Sequence, residues 1–595
     1  MPFSEVNNKI TDWLPITKEE VKKRNWDQLD IILITGDAYI DHPSFGIAII
    51  GRVLENKGYK VAVIPQPNWR DDLRDFKKLG QPKLFFGVTS GNMDSMVNHY
   101  TANKRLRSND AYTPGDKHGQ RPDYAAYVYS KILKELYSET PVIIGGIEAS
   151  MRRLAHYDYW SDKLKPSILF ESNADMIVYG MGEKAIIEIA KKLSENNKIE
   201  NLHSIPQTCF ITDNLTNINN EFKTLELSSY EKCLEDKLNH AKNFKLIEEE
   251  SCLLNSNTAL IQKTKDKYIV VNPSNKLMTE QELDSIYNLP FTRLPHPKYF
   301  KKEPIPAYDM IRHSVNIHRG CFGGCGFCTI SAHQGKHIVS RSEKSILNEV
   351  EQVSKMHDFK GNLSDLGGPS ANMYKMIPKN YQLCEKCKRP SCVFPSKCNN
   401  LNINHSSLIS LYKKVREHKK VKKAFVGSGV RYDLFVDNDK EYLKELFLNH
   451  ISGRLKVAPE HTSERTLNIM RKPSYKNFDK LFKMFNDLNK QHDKQQQLIP
   501  YFISSHPGST KEDMVELAII TKNQNFKLEQ VQDFTPTPMT LSTVIYYTGY
   551  HPYTLEKVYV TRNKEEKLIQ RSFFFWYLKE NKKIRDYIYS YKNKH

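Results

Sequence analysis

Apolar residues in this chain gather into short unbroken runs that end on glycine, separated by stretches with helical apolar spacing. Asp30-Ile31-Ile32-Leu33-Ile34-Thr35-Gly36 is the first such run. Lys60-Val61-Ala62-Val63-Ile64, Leu84-Phe85-Phe86-Gly87-Val88-Thr89, Pro141-Val142-Ile143-Ile144-Gly145-Gly146 and Met176-Ile177-Val178-Tyr179-Gly180 follow it. A run apolar on both faces suits a strand buried inside a parallel sheet. After the first run, Phe45 through Leu54 carries its apolar residues at helical spacing and stops before Gly58, a helix C-terminal signal. Strands alternating with helices predict an α/β fold whose residues 1–200 form a doubly wound, Rossmann-like sheet. Ligands are expected outside its strand C-termini, near Asp37, Ser90, Gly146 and Gly180.

From 201 to 300 the periodicity fades and Asn, Lys and Glu accumulate, which reads as a connecting subdomain. Tyr268-Ile269-Val270-Val271 predicts one strand there, Thr279-x-x-Glu282 a helix capping box, and Leu289-Pro290 through His296-Pro297 a rigid extended connector. Alternation resumes from 301 to 545. Leu363 to Pro369, Ala424 to Gly429, Leu455 to His461, Tyr501 to Ser504 and Gln530 to Phe534 are successive strand ends. Ile346, Val350 and Val353, then Leu408, Leu411 and Val415, mark intervening helices. Six βα-like units result, with polar residues where βα barrels carry their functional groups. Residues 546–595 read as a basic helical extension. Its Lys564, Lys567 and Arg571 beside Phe573-Phe574-Phe575-Trp576-Tyr577 suit docking over the barrel's open side better than stacking on single-stranded nucleic acid, and the tail past 580 is expected to fray.

Hydrophobic content of 39% with 26% charged residues fits a soluble globular protein of two to four domains. No run approaches 18 apolar residues, so no membrane span is expected. Met1-Pro2-Phe3-Ser4-Glu5 carries no secretory signature, and ten cysteines with seven crowded between 321 and 398 read as metal ligands in a reducing compartment, so the cytoplasm is expected. A net charge of +19 admits nucleic acid as a partner, yet the lysines are spread over every segment. The basic stretch 100–125, with Arg121, reads as a solvated loop before a substrate lid. Arg152 and Arg153 with His156 to Trp160 would hold an anionic or aromatic ligand or pack two domains together.

The sharpest chemistry lies in Cys321-Phe322-Gly323-Gly324-Cys325-Gly326-Phe327-Cys328. Glycines let the loop curl and turn three thiolates toward one point. Thiolates are the usual anchors of iron–sulfur clusters, and three ligands for a four-iron cubane leave one iron open to a small molecule. A zinc knuckle completed by His318 or His333 is the competing assignment. The x3 then x2 spacing, with Phe327 before the last cysteine, resembles the signature of the radical SAM superfamily. That resemblance implies a [4Fe-4S] cluster whose open iron binds S-adenosylmethionine and reductively cleaves it to a 5′-deoxyadenosyl radical. Abstraction of hydrogen from a substrate would follow, with an external donor such as flavodoxin or ferredoxin. It also implies a partial (β/α)6 TIM-type barrel. By position, Gly367-Gly368 matches the superfamily's Gly-Gly-Glu motif, with Pro369 in place of the glutamate, so only a backbone role toward the cofactor's ammonium carries over. Ser428, Arg431 and Glu460 would hold its carboxylate and ribose.

Further motifs resemble the YgiQ-type radical SAM proteins over nearly the whole chain: His318-Arg319-Gly320-Cys321, His333-Gln334-Gly335, Ser340-Arg341-Ser342, Gly427 to Asp433, Ala458-Pro459-Glu460-His461 and Gln532 to Pro538. That family supplies cofactors and no established substrate. The N-terminal sheet is similar to cobalamin-binding domains in fold and order. Here Asp41 and His42 are adjacent, where cobalt-ligating domains space them as Asp-x-His, which argues against cobalamin. Cys384-x2-Cys387-x4-Cys392-x5-Cys398 forms a second set, complete enough for a closed zinc site or an auxiliary iron–sulfur cluster, with Lys388, Arg389 and Lys397 interleaved to favour thiolates. The competing function is a metal-stabilised, basic nucleic-acid-binding protein without catalysis.

Overall fold

The computed structural model describes residues 8–592; the start read above, Met1 to Glu5, lies outside them. A nine-stranded sheet dominates the N-terminal half. In chain order its strands are β1 (Ile31–Thr35), β2 (Val61–Pro65), β3 (Phe85–Thr89), β4 (Val142–Gly145), β5 (Met176–Val178), β6 (Thr208–Thr212), β7 (Lys223–Leu227), β8 (Thr258–Thr264) and β9 (Lys267–Val271). Spatial order is β2-β1-β3-β4-β5-β6-β9-β8-β7. The first five are parallel, β6 and β9 run antiparallel to their neighbours, and β7 is parallel to β8. Every residue of β1 and β2 is buried, as unbroken apolar runs require. Order 2-1-3-4-5 reverses direction between β1 and β3, which sets the crevice beyond their C-terminal ends as the place for a ligand.

Residues 201–300, expected as a connecting subdomain, contribute four strands to this same sheet. Their alternation is hard to read because β7 exposes most of its residues at the sheet edge. The Thr279 capping box forms, opening helix Glu280–Tyr287. The 100–125 loop is no solvated surface at its centre. Arg121 is fully buried, bonded to Asp110 and the Ser90 carbonyl and ion-paired to Asp37, so it ties the loop across the ends of β1 and β3.

The barrel strands are β10 (Ser314–Asn316), β11 (Asp365–Gly367), a two-residue strand Lys423–Ala424, β12 (Arg454–Glu460), β13 (Gln497–Ser504) and β14 (Val531–Asp533). β10 pairs with β11 in parallel, and Asn362–Leu363, just before β11, pairs with Lys423–Ala424. A Val430–Val457 bridge leads on to β12, and β12-β13-β14 is a parallel ladder. Six consecutive parallel positions form the open (β/α)6 arc. Its core joins Val315, Ile317, Leu366, Val457 and Phe502 to helix residues such as Val350 and Leu411.

The C-terminal aromatics dock rather than face solvent. Phe573 and Phe574 are buried in the barrel core, and the stretch past 580, expected to fray, is the helix Lys582–Lys592 with Ile588 buried in the same core. The aromatic part of the Arg152 to Trp160 patch serves domain packing, while Arg152 is spent inside the N-terminal half. Arg152 pairs with buried Asp94, and the Tyr157 ring stacks on Tyr547 of the helix Leu541–Thr548 at 4.8 Å. Cys209, Cys233 and Cys252 are buried thiols, pushed up to about 12 by burial. Among the described residues no helix is long and apolar enough to cross a membrane.

Candidate active site

The Cys321–Cys328 loop begins just past β10 and the two-residue strand His318–Arg319, which pairs with Val339–Ser340, so the C-terminal end of the first barrel strand delivers it to the mouth of the arc. Backbone bonds fix it from several sides. Cys321 N–H donates to the Gly335 carbonyl at 3.1 Å, Gly326 N–H to Met470 at 2.8 Å, and Ser542 N–H to the Gly326 carbonyl at 2.8 Å. Gly324 has a φ of 59°, and a Cβ there would strike the Pro390 carbonyl. Only glycine takes that turn at that approach without strain. A Cβ at Gly323 would strike the Arg431 guanidinium.

Arg431 is buried, forms a bidentate pair with Asp433 (2.7 and 3.2 Å), and directs Nη1 at Cys325 Sγ, 3.5 Å away. It therefore sits under the thiols, where its charge offsets developing thiolates, instead of standing free for a ligand carboxylate. The three thiols are half-buried. Burial pushes Cys328 up to about 12, with Cys325 and Cys321 as further causes, and raises Cys321. Such thiols ionise readily only when a metal takes the place of the proton. Among the described residues no group of three or more His, Cys, Asp or Glu takes single-ion geometry. A cubane asks for less, since each thiolate binds a different iron around one cleft. The glycine cradle, three neighbouring thiols and the guanidinium beneath them fit a cluster with one iron left open. His318 packs its ring against Gly368, and His333 Nδ1 meets Ser150 Oγ at 3.2 Å, turned to the N-terminal sheet.

The other expected residues stand at neighbouring strand ends in altered roles. The Gly367 carbonyl accepts from Ile317 N–H at 2.8 Å, so it is engaged in the β10–β11 pairing, which leaves Gly368 as the backbone candidate. Ser428 bonds Asp365 through both N–H and hydroxyl. Asp365, which sequence reasoning missed, also accepts from Gly427 N–H at 2.9 Å and holds the Gly427–Gly429 turn. Burial raises its carboxyl. Glu460 has a left-handed φ of 68° at a register shift in β12, and Lys472 lies 3.6 Å from its carboxylate. Strain held by surrounding structure at a strand end is typical of functional positions. Burial raises Glu460 as well, and its charge is among the causes that raise Cys328. Phe327 sets its ring edge-on to His506 at 6.1 Å, closing the cleft from the C-terminal side.

The second cysteine set folds directly over this loop. Cys392 N–H donates to the Phe322 carbonyl at 3.0 Å, and Cys321, Cys392 and Cys398 share an apolar cluster with Phe322, Val393 and Leu401. Burial pushes Cys392 up to about 11, with Cys398, Cys387 and Cys384 as further causes and Lys336 opposing them. The interleaved cations do not serve these sulfurs. Arg389 donates to the carbonyls of Phe394 and Ser396, Lys388 reaches Glu249, and Lys397 reaches Asp437. Their cation is Lys336, 4% exposed, with Nζ 2.6 Å from the Arg389 carbonyl and 3.9 Å from Cys387 Sγ. Nothing in the sequence flags it beyond its place after His333-Gln334-Gly335.

Asp41 and His42 are committed elsewhere. Asp41 receives Arg52 at 2.5 Å, while His42 Nδ1 accepts from Ser44 N–H and Nε2 lies 2.7 Å from Arg293. Arg293 in turn pairs with Glu349, so the doublet stitches the sheet to the barrel.

Residues 13–314 match the family model "Radical SAM N-terminal", 315–519 match "Radical SAM superfamily", and 529–586 match "Domain of unknown function (DUF3362)". The chain is 58% identical to a UPF0313 protein of Bacteroides thetaiotaomicron over 97% of its length and 96% of the relative's. It is 47% identical to one from Methanocella arvoryzae, over 95% and 93%. Among solved structures it is similar to the radical S-adenosylmethionine methyltransferase TsrM from Kitasatospora setae, with cobalamin and [4Fe-4S] cluster bound. The TM-score is 0.47 and identity 13%, covering 86% of this chain and 74% of that one. The cobalamin-dependent radical enzyme OxsB gives a TM-score of 0.46 and 11% identity, over 87% and 55%.

Proposed function

The chain belongs to the radical SAM superfamily, among the UPF0313 proteins, and from that premise we propose that it is an enzyme using a [4Fe-4S] cluster on Cys321, Cys325 and Cys328 to act on S-adenosylmethionine. The observation that carries this reading is the three-thiol glycine cradle with Arg431 beneath it at the mouth of a parallel strand arc. When bound, the cluster supplies the single electron that cleaves the cofactor reductively for hydrogen abstraction from a substrate. The chain's own residues position the partners. Arg431 offsets thiolate charge, Gly368 presents backbone to the cofactor's ammonium, Asp365 holds the Ser428 turn in place, and Glu460 faces the ribose hydroxyls from an adjacent strand end. Phe327 and His506 limit water at the cleft. An external protein such as flavodoxin or ferredoxin delivers the electron. We propose that Cys384, Cys387, Cys392 and Cys398, which do not stand in single-ion geometry in this structure, take up a second metal, zinc or an auxiliary cluster, with Lys336 beside it. Anaerobic reconstitution with iron and sulfide tests the core of the reading. A brown protein with about four irons at the triad is expected, whereas a colourless protein holding only zinc would contradict it.

A further inference from the structure

The insertion from Ile377 to Cys398 forms a thin cover over the triad loop. Its inner side touches that loop twice: Cys392 N–H donates to the Phe322 carbonyl at 3.0 Å, and the Pro390 carbonyl abuts Gly324. Its outer side begins two residues from Pro390, where Lys388 stands exposed. On other flanks the loop meets buried structure. Gly326 N–H donates to Met470, and the Gly326 carbonyl accepts from Ser542, both fully buried residues. The insertion therefore offers a short way from outside to the three thiols, one that leaves the mouth of the arc free for substrate.

The outer side carries apolar groups inside a basic rim. Ile377, Tyr381 and Leu383 are 38%, 45% and 61% exposed, three large apolar side chains on one short stretch. Exposed apolar groups rimmed by polar residues mark interaction sites. The rim holds Lys379, Lys386, Lys388, Arg389 and Lys397 against a single acid, Glu385. Glu249 answers Lys388, Asp437 answers Lys397, and Arg389 is spent on carbonyls. Lys379 and Lys386 are exposed, and no ion pair among the described residues involves them. A protein that reduces a buried centre must bring its own redox group close, because electron tunnelling falls steeply with distance, and must then leave. Such encounters bury little surface, under about 1,200 Å². Opposite charge steers them more than area holds them. A small apolar spot with free lysines beside it fits that plan.

We propose that the outer face of the insertion, from Ile377 to Lys388, is the docking surface for a small acidic one-electron carrier protein. In the encounter the partner's reduced group loses one electron and the cluster at the triad gains it, and no bond or proton changes on this chain. The partner's role as reductant rests on the radical-enzyme reading; its binding to this face does not.

The test uses a bacterial flavodoxin and the full chain with its second-set metal in place. Oxidised flavodoxin is titrated first, by calorimetry at low salt, into wild type and Cys325→Ala. Both should bind it alike, since docking needs no cluster at the triad. Lys379→Glu with Lys386→Glu should weaken that binding. The same pair should slow reduction of the reconstituted cluster by reduced flavodoxin about tenfold at low ionic strength, with the difference closing as salt rises. Reduction by dithionite, which needs no docking, should be unchanged. Tyr381→Ser with Leu383→Ser should weaken binding at low and high salt alike. Lys419→Glu with Lys422→Glu is the control: both lysines are exposed just before the strand Lys423–Ala424, at the opposite end of the barrel. That pair should change nothing, which separates a local surface from the chain's general positive charge. Absence of flavodoxin binding at low salt, equal losses in the two charge-reversal pairs, or unchanged reduction in the insertion pair would each overturn the inference. A chain that forms no cluster yet binds flavodoxin through Lys379 and Lys386 would contradict the enzyme reading and leave the docking surface standing.

Discussion

The two cysteine sets touch, yet they are built on opposite plans. Cys321, Cys325 and Cys328 sit on eight residues of glycine-rich loop, anchored by backbone bonds to Gly335, Met470 and Ser542 and underlain by Arg431. Cys384, Cys387, Cys392 and Cys398 spread over fifteen residues of polar insertion, whose only regular element is the five-residue helix Tyr381–Glu385, with a lysine from outside the insertion as their cation. A rigid cradle with one ligand too few suits reaction at a metal. A complete set on a segment with little core of its own suits a metal that contributes folding energy. Nearness of two thiol clusters therefore does not make one site of them.

The largest effect expected from breaking this contrast comes from replacing Cys321, Cys325 and Cys328 together with Ala. Metal analysis should find the triad's iron gone and the second set's metal kept. That means about one zinc per chain for a structural site, or about four irons insensitive to S-adenosylmethionine for an auxiliary cluster. Loss of both metals would show that the second set is not independent. Next in size is Gly324→Ala. A Cβ at a φ of 59° against the Pro390 carbonyl pries the insertion off the loop, and iron loading should fall several-fold while zinc or iron at the second set persists. Unchanged loading would remove the cradle as the reason for the glycines. Lys336→Met should act the other way round. Loss of a supporting group beside metal ligands typically weakens metal affinity about 10–100-fold, so a chelator should strip the second set more readily and leave the triad's iron. Equal effects on both sets would mean that Lys336 serves neither in particular.

Much of this was legible in the sequence, for reasons that differ by region. Buried parallel strands such as Ile31–Thr35 are written as unbroken apolar runs, so β1 to β5 and the barrel order emerge from pattern alone. Cysteine spacing marks both thiol sets because ligand geometry constrains neighbours along the chain. Strands β6 to β8 were hidden, since a mixed, partly exposed sheet edge leaves no clean period, whereas the apolar run Tyr268 to Val271 marked β9. Arg431 was found but given a ligand's carboxylate to hold; its partner Asp433 and its reach to Cys325 are tertiary facts. Asp365 and Lys336 were missed for the same reason, being polar residues whose importance comes from what folds over them. Arg121 shows the converse error, a basic residue in a polar loop that proves fully buried between two aspartates.

The smallest expected effect concerns a thiol outside both sets. Burial raises Cys209 from about 9 to about 12. A raised thiol pKa favours the folded state up to the unfolded value, and that contribution is lost as pH climbs from about 9 toward 12. Thermal unfolding of the wild type should therefore fall more steeply between pH 9 and 11 than that of Cys209→Ala, with parallel curves below pH 8. Identical slopes would show that Cys209 does not titrate differently on unfolding.

The most direct measurement is S-adenosylmethionine cleavage by anaerobically reconstituted protein with dithionite, comparing wild type with Cys325→Ala. Formation of 5′-deoxyadenosine by the wild type and its loss to background in the variant is the expected result. Equal cleavage by Cys325→Ala would contradict the triad as the site of the chemistry.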